Sequence, residues 1–265
     1  MSYKLGFIGC GNMGGALVRS VVKEVPASEV AVCDADKKKA LSLASECKAW
    51  AVDIQEIATT AKFIVIGVKP QAIQTMLAEI APVLKTRKDA VIVSMVAGLS
   101  ISAIRSFIGE NLPVIRIMPN TPALVGEGMI LYTLAGVNIA VENEFLSSFA
   151  SAGKFDKISE DKMDASSALS GCGPAFIYAF AEALADGAVA CGVPRDKANL
   201  YTAQVLKGAG EMLLAFGHPA DLKDAVCSPG GTTIAGMHAL EKAGFRGAVM
   251  DAVISAYEKT LSLKK

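Results

Sequence analysis

Lys4-Leu5-Gly6-Phe7-Ile8-Gly9-Cys10-Gly11-Asn12-Met13-Gly14-Gly15-Ala16-Leu17-Val18 is the stretch that decides how the chain folds. An apolar run, Leu5 to Ile8, meets a glycine-punctuated turn, and a helix-forming segment, Ala16 to Val22, follows. The turn is a G-x-G-x-x-G. On its own that pattern is weak, but a strand before it and a helix after it are the context that gives it meaning. There Gly9 makes the tight turn, Gly11 lets a pyrophosphate approach the backbone, and Gly14 permits close helix packing. The helix N-terminus offers unpaired N–H groups and the positive end of a dipole to phosphates. The competing reading is a glycine turn that serves packing alone. Gly9, Cys10, Gly11, Asn12, Met13 and Gly14 are thus candidate dinucleotide contacts.

Moving outward, the second strand ends at Asp34, 20 residues past Gly14. An acid there accepts hydrogen bonds from a ribose diol, which favours NAD(H). Lys37, Lys38 and Lys39 follow at once and could pair with a 2′-phosphate instead, unless they are only a solvated helix face. The sequence leaves NADH and NADPH both open, with a mild lean to NADH competence. Two further strand-end loops border the same cleft: Gly67-Val68-Lys69-Pro70, and Val96 followed by Ala97 and Gly98. Ligands of such sheets lie beyond the carboxyl ends of the strands, so Val68, Lys69, Pro70, Ala97 and Gly98 join the cofactor candidates.

Strand runs and helix-period segments alternate over the first 160 residues. The runs are Lys4–Gly9, Glu29–Asp34, Lys48–Val52, Phe63–Lys69, Ala90–Val96 and Val114–Met118, with two more near Met129–Leu134 and Lys154–Ser159. Unbroken apolar runs such as Phe63-Ile64-Val65-Ile66 suit parallel strands covered on both faces. Between two of them Ile73, Met76, Leu77, Ile80 and Leu84 share a helical face. Pro70 sits at that helix's start, where a missing N–H costs nothing. A further helix is expected at Val141–Ala152. The fold class is α/β: a doubly wound, Rossmann-type parallel sheet over residues 1–160. From 161 to 265 the pattern is all helical. A long helix runs from about Asp161 to Gly192, and a second starts at Pro194-Arg195-Asp196 and stops before Gly217. A short one covers Ala220 to Val226, one opens after Ser228-Pro229-Gly230-Gly231, and a last one bears Val249, Val253, Tyr257 and Leu261.

Composition bounds the function. The 265 residues carry 26 Lys+Arg against 26 Asp+Glu, so the basic excess of a nucleic-acid binder is missing. With 52% apolar residues the chain can bury a large core and is not a disordered acidic chain. The two histidines, His218 and His238, lack ligand spacing, and the six cysteines form no C-x-x-C pair. We expect no metal site and reduced, mostly buried cysteines in a cytoplasmic protein. No apolar run precedes the first strand, so no signal peptide is expected. The longest uncharged stretch, Ala165 to Ala181, has 17 residues and falls short of a bilayer span. It reads as a buried helix of a soluble protein, and no membrane partner is expected.

Taken in order, five motifs resemble pyrroline-5-carboxylate reductases over nearly the whole chain. They are Gly6-Phe7-Ile8-Gly9-Cys10-Gly11-Asn12-Met13, Val68-Lys69-Pro70-Gln71, Met118-Pro119-Asn120-Thr121-Pro122, Ser170-Gly171-Cys172-Gly173-Pro174-Ala175-Phe176, and Ser228-Pro229-Gly230-Gly231-Thr232-Thr233. The resemblance implies NAD(P)H-dependent reduction of 1-pyrroline-5-carboxylate to L-proline, the final step of proline biosynthesis. It also implies a helical domain, 161–265, that binds substrate and forms a homodimer, with a homodecamer as the larger assembly it allows. Three departures stand out. Cys172 replaces the usual Ser. Ile54 stands where many relatives carry an Asn on the adenine-side ribose. Asp34-Ala35-Asp36 replaces the neutral or Arg-containing segments of NADPH-preferring relatives.

The implied substrate is a cyclic imine bearing one carboxylate. Once protonated it is a good hydride acceptor, so the protein has mainly to position it and hold its carboxylate. The turn Gly230-Gly231 with the hydroxyls of Thr232 and Thr233, at a predicted helix N-terminus, suits that carboxylate. Thr233 matches the family's carboxylate contact. A simple helix cap by Ser228 or Thr232 is the competing reading. No general acid stands out: His218 and His238 lack a catalytic context, Lys69 fits a cofactor loop better, and Arg116 is left open between structure and active-site field. A β-hydroxyacid dehydrogenase would place a Lys about four residues after Gly171-Cys172-Gly173, and none occurs before Lys197. A non-catalytic dinucleotide sensor of the same fold would not need the Gly230–Thr233 cradle.

Overall fold

Unbroken apolar runs and amphipathic helices alternate because each sheet face needs a cover. A computed structural model of the chain describes residues 2–109 and 112–262. The first part runs β1 (Tyr3–Ile8), α1 (Asn12–Val21), β2 (Val30–Cys33), α2 (Lys37–Cys47), β3 (Trp50–Ala51), α3 (Ile54–Thr60), β4 (Ala61–Ile66) and α4 (Ile73–Leu84). It continues with β5 (Val91–Ser94), α5 (Ile101–Ile108), β6 (Val114–Met118), β7 (Gly128–Ala135), α6 (Ile139–Ser148) and β8 (Gly153–Lys157). Among the described residues the strands form one sheet in the order β3-β2-β1-β4-β5-β6-β7-β8. Strand order reverses between β1 and β4, which is where such sheets bind ligands. In β4, Phe63 and Val65 enter the core on one face while Ile64 and Ile66 enter the core on the other. The continuous apolar run is thus explained by cover on both sides.

Several elements differ from the sequence reading. β7 pairs antiparallel with β6, Val114 opposite Ala135, so the sheet is mostly rather than wholly parallel. The reason is connection length: the chain returns through the turn of 3-10 helix Thr121–Val125, which is too short for a parallel crossover. β3 shrinks from the expected Lys48–Val52 to two residues at the sheet edge. Helices α3 and α5 were not foreseen; Asp53 and Ser100 cap them through the N–H groups of Glu56 and Ala103. Pro70 opens a 3-10 turn, Pro70–Ala72, and α4 itself begins at Ile73.

Beyond β8 every regular element among the described residues is helical: α7 (Met163–Ser170), α8 (Gly173–Ala190), α9 (Arg195–Phe216), α10 (Pro219–Ala225), α11 (Thr232–Lys242) and α12 (Phe245–Ser262). The single helix expected over Asp161–Gly192 is broken at Gly171-Cys172. Pro174 has no N–H to donate to the carbonyl four residues back, that of Ser170. The Asn120 side chain supplies the missing donor at 2.9 Å. By contacts the chain divides into two compact units, Met1–Cys172 with Ala256–Lys265, and Gly173–Ser255.

Two burial expectations fail. Ala165–Ala181 is not a buried helix: α7 buries Met163, Asp164, Ser167 and Ala168, but within α8 only Ala185 is buried. The cysteines are free, yet only Cys47 is buried; Cys10, Cys33, Cys172 and Cys227 are half-buried and Cys191 is exposed. Apolar composition states a demand for burial, but not that the same chain meets it.

Candidate active site

Four strand ends build the dinucleotide corner of the first unit. The Gly9 N–H bonds the Cys33 carbonyl at 2.8 Å, tying the turn after β1 to the end of β2. The Gly67 N–H bonds the Ile8 carbonyl at 2.8 Å, and the Met95 N–H bonds the Ile66 carbonyl at 3.1 Å, which brings in the ends of β4 and β5. Gly9 has φ +109°, a region L side chains rarely adopt, and a Cβ there would lie 2.6 Å from the Gly67 carbonyl oxygen. A Cβ on Gly14 would lie 2.0 Å from the Gly9 carbonyl oxygen, so the first turn of α1 packs directly on the loop.

Gly11 behaves differently. It is the N-cap of α1, no side chain caps it, and a Cβ there would meet nothing within 4 Å. The first-turn amides, from Asn12, Met13 and Gly14, have no intrahelical acceptor. By contrast α2 is closed by Asp36, whose carboxylate accepts the Lys38 N–H. Open space over an uncapped helix end is what a pyrophosphate needs, and the donor set fits a dinucleotide. Asp34 flanks it: Oδ2 accepts the Cys10 N–H at 2.7 Å and Oδ1 accepts the Asp36 N–H at 2.9 Å. Burial, then the Asp34 charge, pushes the Cys10 thiol up to about 12, so this half-buried sulfur is no nucleophile at neutral pH. Val68 is half-buried and Lys69 exposed beyond β4, and Pro70 leads into α4. Ala97 and Gly98 form the turn after β5, Gly98 at φ +73°.

In the second unit, Gly230 sits at φ +68° and Gly231 is the N-cap of α11. Neither Ser228 nor Thr232 caps it: no side-chain bond closes this helix. The Gly231 N–H is used by the Ser228 carbonyl at 3.0 Å, and the first intrahelical bond is Ala235 N–H to the Gly231 carbonyl at 3.4 Å. That leaves the amides of Thr232, Thr233 and Ile234, beside two exposed threonine hydroxyls, free to hold an anion.

The sequence reading missed an internal brace and left Arg116 open. Arg116, 2% exposed on β6, reaches Asp164 Oδ1 at 3.0 Å and Glu160 Oε1 at 3.3 Å. The same Glu160 oxygen accepts the Ile101 N–H at 2.7 Å. One buried cation therefore locks the starts of α5 and α7 to the sheet, a structural role. The signal was present as an Arg within an apolar strand and two acids four residues apart. Asn120, inside the Met118–Pro122 motif, also has a structural role that the motif alone does not signal. It is buried between the Ser170 carbonyl and the Met129 N–H, which it accepts at 3.0 Å. His218 is exposed and 3.7 Å from Asp221; His238 is exposed on α11. Among the described residues no group of three His, Cys, Asp or Glu side chains is placed to hold a metal.

The fold and these two separate loci, one in each unit, define the class: a dinucleotide-binding oxidoreductase domain followed by a helical domain. The family model for pyrroline-5-carboxylate reductase dimerisation matches residues 160–263, and one for coenzyme F420-dependent NADP oxidoreductases matches residues 4–98. The chain is 38% identical to the pyrroline-5-carboxylate reductase of Pisum sativum, covering 99% of this chain and 96% of that one. It is 37% identical to that of Escherichia coli K12, with both chains fully covered. The solved pyrroline carboxylate reductase of Plasmodium falciparum with NADP bound is 33% identical and superposes with a TM-score of 0.89 over 99% of this chain and 98% of that one. The chain belongs to the pyrroline-5-carboxylate reductase family.

Proposed function

We propose that the chain reduces 1-pyrroline-5-carboxylate to L-proline with NADH or NADPH, the final step of proline biosynthesis. The observation that carries this is the uncapped start of α11: three free amides and the Thr232 and Thr233 hydroxyls suit one carboxylate. The bound nicotinamide supplies a hydride. Gly9 to Gly14 hold its pyrophosphate on the α1 N-terminus, Asp34 takes the adenosine ribose, and the loops at Val68–Pro70 and Ala97–Gly98 border the nicotinamide side. Gly230, Gly231, Thr232 and Thr233 hold and orient the substrate carboxylate. The ring arrives as its protonated iminium, so its carbon gains the hydride and its nitrogen already bears the proton of the product amine. No general acid is assigned, because proton delivery is a minor demand when the ring arrives as its iminium.

In this reading residues 1–160 bind dinucleotide, and residues 161–265 bind substrate and join two copies. The homodimer, its extension to a homodecamer and a cytoplasmic location belong to the proposal, as does the absence of nucleic-acid and membrane partners. The experiment is steady-state oxidation of NADH and, separately, NADPH by purified protein with 1-pyrroline-5-carboxylate. Turnover with either is expected. Folded, dinucleotide-binding protein that turns over neither would overturn the substrate and leave a dinucleotide sensor as the better reading.

A further inference from the structure

Resting on that reading of the cofactor site, we propose that Asp34 makes this chain prefer NADH, by accepting the adenosine ribose diol and repelling the 2′-phosphate of NADPH. The carboxylate is held at both oxygens. Oδ2 accepts the N–H of Cys10, the second residue of the glycine turn, at 2.7 Å, and Oδ1 accepts the N–H of Asp36 at 2.9 Å. Each oxygen keeps a further acceptor site, enough for two ribose hydroxyls. A phosphoryl group brings a charge of about −1.5 to −2 and further acceptors only. Asp34 has no donor to offer it, and turning away would forfeit two charge-assisted bonds to backbone.

The surrounding charge points the same way. Asp36 lies two residues on, and its Oδ1 is committed to the Lys38 N–H at 3.0 Å. Asp53 caps α3 through the Glu56 N–H at 2.7 Å. The thiol of Cys33, next to Asp34, is pushed up by burial and then by Asp34, Asp53 and Glu79, which marks a negative field at this end of β2. Lys37, Lys38 and Lys39 oppose it, but all three are exposed and none forms an ion pair among the described residues. Exposed surface cations are screened over about 8 Å at physiological salt. They also sit on the first turn of α2, where the helix dipole disfavours them. A half-buried carboxylate fixed by two bonds outweighs three solvated lysines.

The test is calorimetric titration of the full chain with NADH and with NADPH, without substrate. NADH is expected to bind at least about tenfold tighter, the effect of one hydrogen bond to a charged group. Asp34→Ser should shrink the ratio about tenfold to a hundredfold, chiefly by tightening NADPH. Asp34→Asn should act likewise while its amide oxygen still accepts the Cys10 N–H, which guards against collapse of the turn. The triple change Lys37→Ala, Lys38→Ala, Lys39→Ala should leave the ratio nearly unaltered. Tighter NADPH binding by the unmodified protein overturns the proposal, as does a ratio indifferent to Asp34→Asn. If neither dinucleotide binds, the cofactor reading falls and this inference with it. NADH-selective binding without turnover of the imine supports the role of Asp34 and refutes only the substrate.

Discussion

Gly11 and Gly14 show two different needs for a missing side chain. Gly14 is filled by its own protein: a Cβ would sit 2.0 Å from the Gly9 carbonyl oxygen. Gly14→Ala should therefore cost stability, about 1–3 kcal/mol as for other overpacked sites, read as a lower midpoint in urea. Gly11 faces open space, so Gly11→Val should keep the melting temperature and abolish dinucleotide binding. Retained affinity by calorimetry would count against the fingerprint. Thr233→Ala removes one hydrogen bond to a charged group, about 1.5–3 kcal/mol, and should raise KM about tenfold to a hundredfold with kcat little changed. Unchanged kinetics would remove Thr233 from the site. The two turns that carry these residues were legible because glycine spacing and a turn-to-helix junction are local features. The brace of Arg116 was not, since its partners Glu160 and Asp164 lie 44 and 48 residues away.

Among elements, the last strands and α6 are joined by a polar tie within an aromatic cluster. The Tyr132 hydroxyl on β7 donates to Glu142 Oε1 on α6 at 2.8 Å, and Lys157 Nζ on β8 meets both Glu142 oxygens at 3.0 Å. Lys157, the largest influence, and Tyr132 hold the Glu142 carboxyl below its ordinary 4.5 against burial. A depressed folded-state value means that the group's stabilisation is complete at neutral pH and is lost as the pH falls below about 4.5. Glu142→Gln should therefore lower stability at pH 7 and flatten its acid dependence in urea melts recorded between pH 7 and pH 3. An acid limb as steep as in the unmodified protein would show that other carboxylates dominate. Beside the tie, Phe145 is fully buried with its ring centre 4.9 Å from Phe149 and 5.7 Å from Phe155. Phe145→Ala should cost about 3–5 kcal/mol by denaturant melt. Element type was readable from the apolar pattern, but the direction of β7 was not, because an apolar run such as Met129–Leu134 shows how a strand is covered and not which way its neighbour runs.

For the whole molecule, the second unit poses a burial problem. Ala185, Ala198 and Thr202 are buried there, while Ile177, Tyr178, Leu200, Tyr201, Val205 and Phe216 are exposed. An open groove lined by Phe176, Phe180, Leu184, Leu240, Phe245 and Val249 adds to this surface, with the Phe180 and Phe245 rings 5.7 Å apart. Apolar surface on this scale marks an interface, and the match to a dimerisation domain agrees. The melting temperature should rise with protein concentration, as association stabilises only the folded form. Leu184→Asp should shift the sedimentation profile to monomer; an unchanged oligomer would place the interface elsewhere.

The sequence by itself determined the alternating α/β half, the helical half, the glycine turn with its acid at position 34, and the Gly230–Thr233 junction. Each is set by neighbours within a few residues, through periodicity, turn chemistry or helix capping. Only the tertiary structure decided that Asp34 is held by the Cys10 amide, that Arg116 is a brace and that Asn120 completes the Ser170 carbonyl left by Pro174. It also decided that α8 buries only Ala185. These depend on which distant groups meet, and a one-dimensional pattern states what a residue requires without naming the group that supplies it.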